Sequence, residues 1–429
     1  MPRFLRPLAL LSALVIAPVP LNAQSTAFEE EVRRLAQHPA VQRAMALVEE
    51  ADATTMADLM ELTQIPAPPF TETARGARFR EKLLELGLDS VWVDEVGNVI
   101  GLRQGAGTGK TVAIAGHLDT VFPEGTDVTV RVRGDTLFAP GISDDTRGVV
   151  TVLALARAMR AANVRTDGDI LFIGNVGEEG EGDLRGMKNL FRKGGPRIDS
   201  FISIDGSGDV GITHQGLGSH RYNVVFRGPG GHSWGAFGLV NPAHALGRAI
   251  GNFDEVADSL TASGPRTSYN VGVLEGGTSV NSIPFEVSMD VDMRSESPAS
   301  LERIDAALHD AVARAQTEEN AGRRRGEEGT AEMVLIGDRP SGEVAEEESI
   351  VQRAVAVSRM LGIEPRLGRG STDSNIPISL GIPAITIGGG GVGGDAHALT
   401  EYFINRDGPL GIQRALLILL AQAGLAVAS

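Results

Sequence analysis

Thr111-Val-Ala-Ile-Ala-Gly-His-Leu-Asp-Thr120 is a short, continuous apolar run that ends on an imidazole and a carboxylate. Two further stretches repeat the pattern: Ile170-Leu-Phe-Ile-Gly-Asn-Val-Gly177 runs into Glu178-Glu179, and Phe201-Ile-Ser-Ile204 into Asp205. Short runs without a polar alternate face read as strands of a parallel sheet buried on both sides. Open α/β sheets hold their ligands in the crevice beyond the carboxyl ends of the strands, so the three polar clusters should converge there.

The rest of the chain organises around these runs. An amphipathic stretch over 28–62 predicts helix, interrupted at His38-Pro39 and ended by Ile65-Pro-Ala-Pro-Pro69. Helix is predicted again over 72–86 and, after Gly141-Ile-Ser-Asp-Asp145, over 147–163, with strands near Val91 and Val99. Beyond Gly218 the pattern changes. Strand-like stretches over 221–226, 268–274, 285–293 and 331–336 alternate with helical ones over 242–253 and 298–315, an order of βαββαβ that describes a small ferredoxin-like sandwich. After it, Ala384-Ile-Thr-Ile387 is another buried strand, leading through a glycine run, 388–394, toward His397. The run lacks the Lys and Ser/Thr of a nucleotide-binding loop, and main-chain contact with substrate is expected of it instead. The expected fold class is therefore α/β, with a mostly parallel sheet flanked by helices over 24–218 and 339–429, and an inserted α+β unit over 219–338.

A chain of 429 residues exceeds the roughly 250–300 at which single cores stop growing, in keeping with two domains. A formal charge of −16 argues against nucleic acid and anionic membrane surfaces as partners. Met1-Pro-Arg-Phe-Leu-Arg6, the apolar stretch over 8–19 and Leu21-Asn-Ala23 together resemble a signal peptide over 1–23. That stretch is too short for a membrane span, which needs about 20 apolar residues. Export to the periplasm or beyond follows as an expectation. The absence of cysteine excludes disulfides, thiolate metal ligands, a cysteine nucleophile and a lipidated cysteine, which leaves His, Asp and Glu to bind any metal.

Each cluster alone has an ordinary explanation. His117-Leu-Asp119 fits a surface turn, Asp144 or Asp145 a helix cap, Glu178-Glu179 a solvated loop, and Asp205 a turn residue. His232 fits decoration of the glycine loop Gly228-Pro-Gly-Gly-His-Ser233, and His397 that of its own loop. Their joint occurrence at strand and helix boundaries argues instead for a metal-dependent hydrolase. Imidazole and carboxylate suit zinc, and a carboxylate bridges two ions, which lower the pKa of a shared water and polarise a carbonyl. A neighbouring glutamate that is not a ligand then moves the proton, and Glu178 and Glu179 are placed to divide the two jobs.

His117-Leu-Asp-Thr120, Gly141-Ile-Ser-Asp-Asp-Thr-Arg-Gly148, Glu178-Glu179-Gly180, Gly230-Gly-His-Ser233, Gly277-Thr-Ser-Val-Asn281 with Asp292-Met-Arg294, and Asp395-Ala-His397 form an ordered series. It resembles that of the co-catalytic zinc metallopeptidases, the family of peptidase T, glutamate carboxypeptidase, acetylornithine deacetylase, succinyl-diaminopimelate desuccinylase and aminoacylase. The resemblance covers the chain from about Asp58 onward. It implies two divalent ions per subunit, zinc in the first place and cobalt or manganese as alternatives. His117 and Asp205 would hold one ion, Glu179 and His397 the other, and Asp144 both. It implies Asp119 orienting His117, Glu178 as general base and acid, His232 reaching the partner subunit's site in a homodimer joined through the inserted lid domain, and Asn281 and Arg294 on the substrate's carboxylate. Asp205, where the deacylases more often carry glutamate, tilts the reading toward short peptides. An N-acyl-amino-acid deacylase is the alternative, and a non-catalytic periplasmic binding protein the competing class; a pure binder has no need of Glu178.

Overall fold

The computed structural model describes residues 21–107 and 109–426. The signal peptide expected over 1–23 lies outside these residues as far as position 20, and a helix, Leu21–Gln37, begins at the next. The helical stretch expected over 28–62 breaks twice. At His38 the imidazole Nδ1 accepts a hydrogen bond from Ala40 N ahead of Pro39, and at Ala51 the helix Pro39–Glu50 gives way to Asp52–Thr63.

Two separate apolar cores form. The larger surrounds a nine-stranded sheet whose centre runs Ile170–Asn175, Val112–His117, Ser200–Ile204, Ala384–Ile387, all parallel. Every residue of these four strands is buried, which is why their sequences do not alternate. Val99–Arg103 and Ser90–Val93 extend one side antiparallel, and Gly211–Gly216 the other. Helix Thr146–Ala161 lies against Val112–His117 and is covered in turn by Pro39–Glu50 and Asp52–Thr63. Its sequence is apolar nearly all round because it is packed on all sides. Arg147, at its start, is fully buried: Nε donates to Gly389 O, Nη2 to Gly408 O, and the guanidinium lies over the Phe403 ring.

The smaller unit is a four-stranded antiparallel sheet in the order Thr267–Gly276, Glu286–Ser295, Gly218–Arg227, Thr330–Arg339. Helices Pro242–Thr261 and Pro298–Gly322, capped by Asn241 and Ser297 just before their prolines, pack on one face. Glu286–Ser295 alternates cleanly: Val287, Met289, Val291 and Met293 enter the core, while Asp290, Asp292 and Arg294 point away from the helices. The outer strand Thr267–Gly276 leaves one edge unpaired, with Val273 and Leu274 exposed. Among the described residues no helix is long and apolar enough to cross a membrane.

Candidate metal centre

The carboxyl ends of the central strands carry the candidate ligands. His117 closes its strand, and its Nδ1–H donates to the main-chain oxygen of Asp119 at 3.1 Å. That bond fixes the ring and leaves Nε2 toward Asp144 Oδ1, 3.1 Å away. The other oxygen of Asp144 lies 3.1 Å from His397 Nε2, which is also 3.1 Å from Glu179 Oε1. One carboxylate thus faces a histidine with each oxygen. Among the described residues, three groups bring their donor atoms within 4.8 Å of one another: His117–Asp144–Asp205 and Asp144–Glu179–His397, which share Asp144, and His117–Glu178–Glu179.

Local chemistry explains the placement. The two acids that the sequence leaves open as caps or ligands separate cleanly. Asp145 caps helix Thr146–Ala161, its Oδ1 accepting from Gly148 N and Gly206 N and its Oδ2 from His117 N, so one buried carboxylate ties three segments together. Asp144, joined to it by a cis peptide, turns to the histidines. Strand and helix approach closely because Gly116 lacks a side chain, since a Cβ there would sit 2.6 Å from Val149 N; Gly148 in turn leaves room for the capping carboxylate, since a Cβ there would sit 2.3 Å from Asp145 Oδ1. The Asp119 carboxylate accepts from Glu178 N at 3.1 Å and Glu179 N at 2.7 Å, and is 3.7 Å from His117 Nδ1. Asp119 therefore orients the imidazole chiefly through its main-chain oxygen, and its side chain sets the glutamate pair. His397 sits on a left-handed backbone, φ 66°, a conformation that costs energy for a residue other than glycine.

Four groups of the cluster hold protons more tightly than usual, while Asp144 and Asp119, which face the histidines, are held below the usual carboxylate range. Burial, with the charge of Asp144, pushes Asp205 up to about 7, and burial with the charges of Glu179 and Asp205 pushes Glu178 up to about 8 against the pull of Arg339 and His117. Hydrogen bonds that its ring donates to Asp144 and Glu179 raise His397 to about 10, and His117 is held well above the usual imidazole range despite its burial because Asp119 and Asp144 face it. The cluster holds more negative charge than so dry a site can solvate, and protons gather where divalent cations would fit. The donor set, all oxygen and imidazole nitrogen with one bridging carboxylate, suits a pair of such ions.

Residues 113–421 match the family described as peptidase family M20/M25/M40. The chain belongs to that family. It is 27% identical to carboxypeptidase G2 of Pseudomonas sp. (strain RS-16) over 302 residues, 67% of this chain and 68% of that one. Among solved structures it resembles aminopeptidase PepT from Bacillus cereus, with a TM-score of 0.67 at 22% identity over 86% of this chain and 98% of that one. It also resembles the Bacillus subtilis YxeP protein, described as a dinuclear metal binding peptidase of the M20 family, with a TM-score of 0.64 at 16% identity over 87% and 99%. The protein is accordingly a metal-binding hydrolase of peptide or acyl-amino-acid amide bonds.

Beside the cluster this M20 enzyme has a cleft of about 420 Å³ whose walls come from both units: Val121, Asp144, Glu178, Glu179, Asp205 and His397 on one side, Arg221, Arg294 and Arg339 on the other. Arg294 is thus one of the cleft-lining residues. Asn281 and His232 are not among the lining residues. They lie together at the far loops of the smaller unit, both exposed, where Ser233 N donates to Asn281 O and the Asn281 side chain accepts from Ser279. The glycine run at 388–394 makes its described contacts with its own chain. A Cβ on Gly388 would meet the main chain of Ser207 and Gly208, and one on Gly390 that of Gly411, so these glycines serve close packing.

Three residues that the sequence reading does not single out complete the M20 site. Glu401 is wholly buried, and its carboxylate accepts from Gly141 N, Ser143 N and Asp144 N at 2.8–2.9 Å, holding the loop that carries the shared carboxylate. Arg339, one residue past the expected end of the inserted unit, donates to Glu178. Asp373, buried and hydrogen-bonded to Asn175 Nδ2 at 2.7 Å, is raised to about 8 by burial and by the charge of Glu178.

Proposed function

We propose that this enzyme is an exported dizinc peptidase that cleaves short peptides bearing a free carboxylate, with Glu178 carrying the proton. The observation that supports it best is the position of Glu178. It is buried at the cluster outside both groups that share Asp144, it lies within reach of His117 and Glu179, and a cation fixes its carboxylate. His117 and Asp205 would hold one ion, Glu179 and His397 the second, and Asp144 would face both. When bound, such a pair supplies charge that polarises an amide carbonyl and acidifies a water. Glu178 would then take a proton from the attacking water and give it to the departing amine, a task suited to a carboxyl whose pKa lies well above the usual range.

Arg294 in the cleft supports recognition of a carboxylate, since a guanidinium fork pairs with it through two parallel bonds. The same cleft would serve an N-acyl amino acid, so deacylation is the second reading. The exposed loop of His232, with Trp234 and Phe237 open to solvent, and the unpaired edge at Thr267–Gly276 support a homodimer through the smaller unit. The basic and apolar amino-terminal sequence supports export. The test is a panel of dipeptides, tripeptides and N-acyl amino acids digested by the zinc-loaded protein, with products identified by mass spectrometry. Turnover confined to N-acyl amino acids would select the second reading, and none at all would end both.

A further inference from the structure

The register of the smaller sheet gathers a polar plate on the face away from its helices. Ser219 pairs with Arg294 on one neighbouring strand and Arg339 on the other, and two residues on, Arg221 pairs with Asp292 and Gly337. Directly opposed residues share a face, as do residues i and i+2 on a strand, so all six lie on one side. All three arginines line the cleft beside the metal cluster.

They are not equivalent. Arg339 is engaged by Glu178 and Ser371. Arg221 and Arg294 instead share one carboxylate: Arg221 Nε donates to Asp292 Oδ1 at 2.8 Å and Arg294 Nε to Asp292 Oδ2 at 2.9 Å. Each bond uses only the inner nitrogen. The terminal nitrogens of both forks have no hydrogen-bond partner among the described residues, although both side chains are half-buried. The stem of Arg221 reaches its place across a bulge between Leu335 and Gly337, and a Cβ on Gly337 would lie 3.1 Å from Arg221 Cδ. Two guanidinium groups and one carboxylate leave a single net positive charge, and both forks are held in fixed planes.

We propose that Arg221 and Arg294, yoked by Asp292, form one two-fork clamp for a single substrate carboxylate, which makes Arg221 and Asp292 specificity-determining residues alongside Arg294. The proposal rests on the reading of the enzyme as a hydrolase of carboxylate-bearing amides. The ligand class is a peptide or N-acyl amino acid whose free carboxylate lies on the released amine side. Asp292 acts as a positioning residue, since it holds the forks without meeting the ligand.

The experiment measures binding of a non-cleavable reduced-amide Ala-Ala dipeptide, as its free acid and as its carboxyl-terminal amide, to zinc-loaded wild type, Arg221→Lys and Asp292→Asn by calorimetry. Thermal melts check that both variants fold. Wild type should prefer the acid by at least about 10-fold, the range that charged hydrogen bonds support. Arg221→Lys keeps the charge but replaces the fork with a point charge, and should lose on the order of 10-fold in affinity for the acid and little for the amide. Asp292→Asn adds a net positive charge yet releases the forks, so its affinity for the acid should fall. Equal wild-type affinities for acid and amide, an unaffected Arg221→Lys, or tighter binding of the acid by Asp292→Asn would each overturn the clamp. Turnover of Ala-Ala is read separately. Acid-selective binding without turnover of any amide would sink the hydrolase reading and keep the clamp, and turnover without acid selectivity would do the reverse.

Discussion

Arg339 donates Nη1 to Glu178 Oε1 at 3.0 Å and Nη2 to the main-chain oxygen of the same residue. The arginine ends the last strand of the smaller unit and the glutamate follows a central strand of the larger one, so the proposed base is set by a cation from across the cleft. That cation also opposes burial, which is the main force raising the pKa of Glu178.

Replacing Arg339 with methionine removes the opposing charge, so the Glu178 pKa must rise. The acidic limb of kcat/KM, below which the base is protonated, should move to higher pH by on the order of one unit. A pH–rate profile checks this. An unmoved limb would assign that titration to another group.

Glu178→Gln keeps the shape and removes the base. Bound metal, measured by elemental analysis, should match wild type, while turnover falls by about 10²–10⁴-fold. Near-native turnover would place the base elsewhere.

Three of the candidate ligands, His117, Glu179 and Asp205, were legible because they follow apolar runs, and strand ends of a parallel sheet meet in space; Asp144 and His397 stand in loops and are tied to them in the sequence only by the motif series. Order and spacing alone left Asp144 and Asp145 interchangeable. Only the hydrogen bonds to Gly148 N, Gly206 N and His117 N reveal which acid is the cap. Glu401 carried no signal, since its partners are main-chain groups some 260 residues away in the chain. Arg221 and Arg339 depend on strand register, which periodicity does not specify.

Glu401→Gln leaves one carbonyl oxygen where two carboxylate oxygens hold the loop of Asp144. Groups that orient metal ligands are typically worth about 10–100-fold in metal affinity. Competition against a chromophoric chelator should show zinc affinity reduced within that range. Unchanged affinity would mean that the loop holds its shape without Glu401.

Metal-free protein should lose stability as pH rises. Asp205 at about 7 and Asp373 at about 8 titrate far above the 3.8 of an unfolded aspartate, so the folded chain retains protons that the unfolded chain has released. Their contribution is complete below 3.8 and disappears as pH passes through 7 and 8. His397, raised from 6.5 to about 10, contributes with the same sign over a higher window. The melting temperature of chelated protein should therefore fall from about pH 5 to about pH 9, and zinc-loaded protein should show a flatter profile. A rising profile in the chelated protein would contradict these shifts.

His232 is exposed, and its Nδ1 accepts from Trp234 N at 3.2 Å and Gly235 N at 3.3 Å, which leaves Nε2 for another group. It does not line the cleft of its own chain. Trp234, Phe237 and Val280 stand exposed around it, 88%, 66% and 102% respectively, more apolar surface than a lone loop gains from showing to water. A second copy docked through the smaller unit would cover such a surface and carry His232 to the neighbouring site. In a mixture of His232→Ala and Glu178→Gln subunits, each heterodimer then contains one site with both residues intact. Random pairing makes half of the dimers mixed, so about a quarter of wild-type activity should return from two inactive parents. Light scattering reports the dimer, and tagged subunits prove the exchange. Exchange without recovered activity would confine His232 to its own subunit or remove it from the reaction.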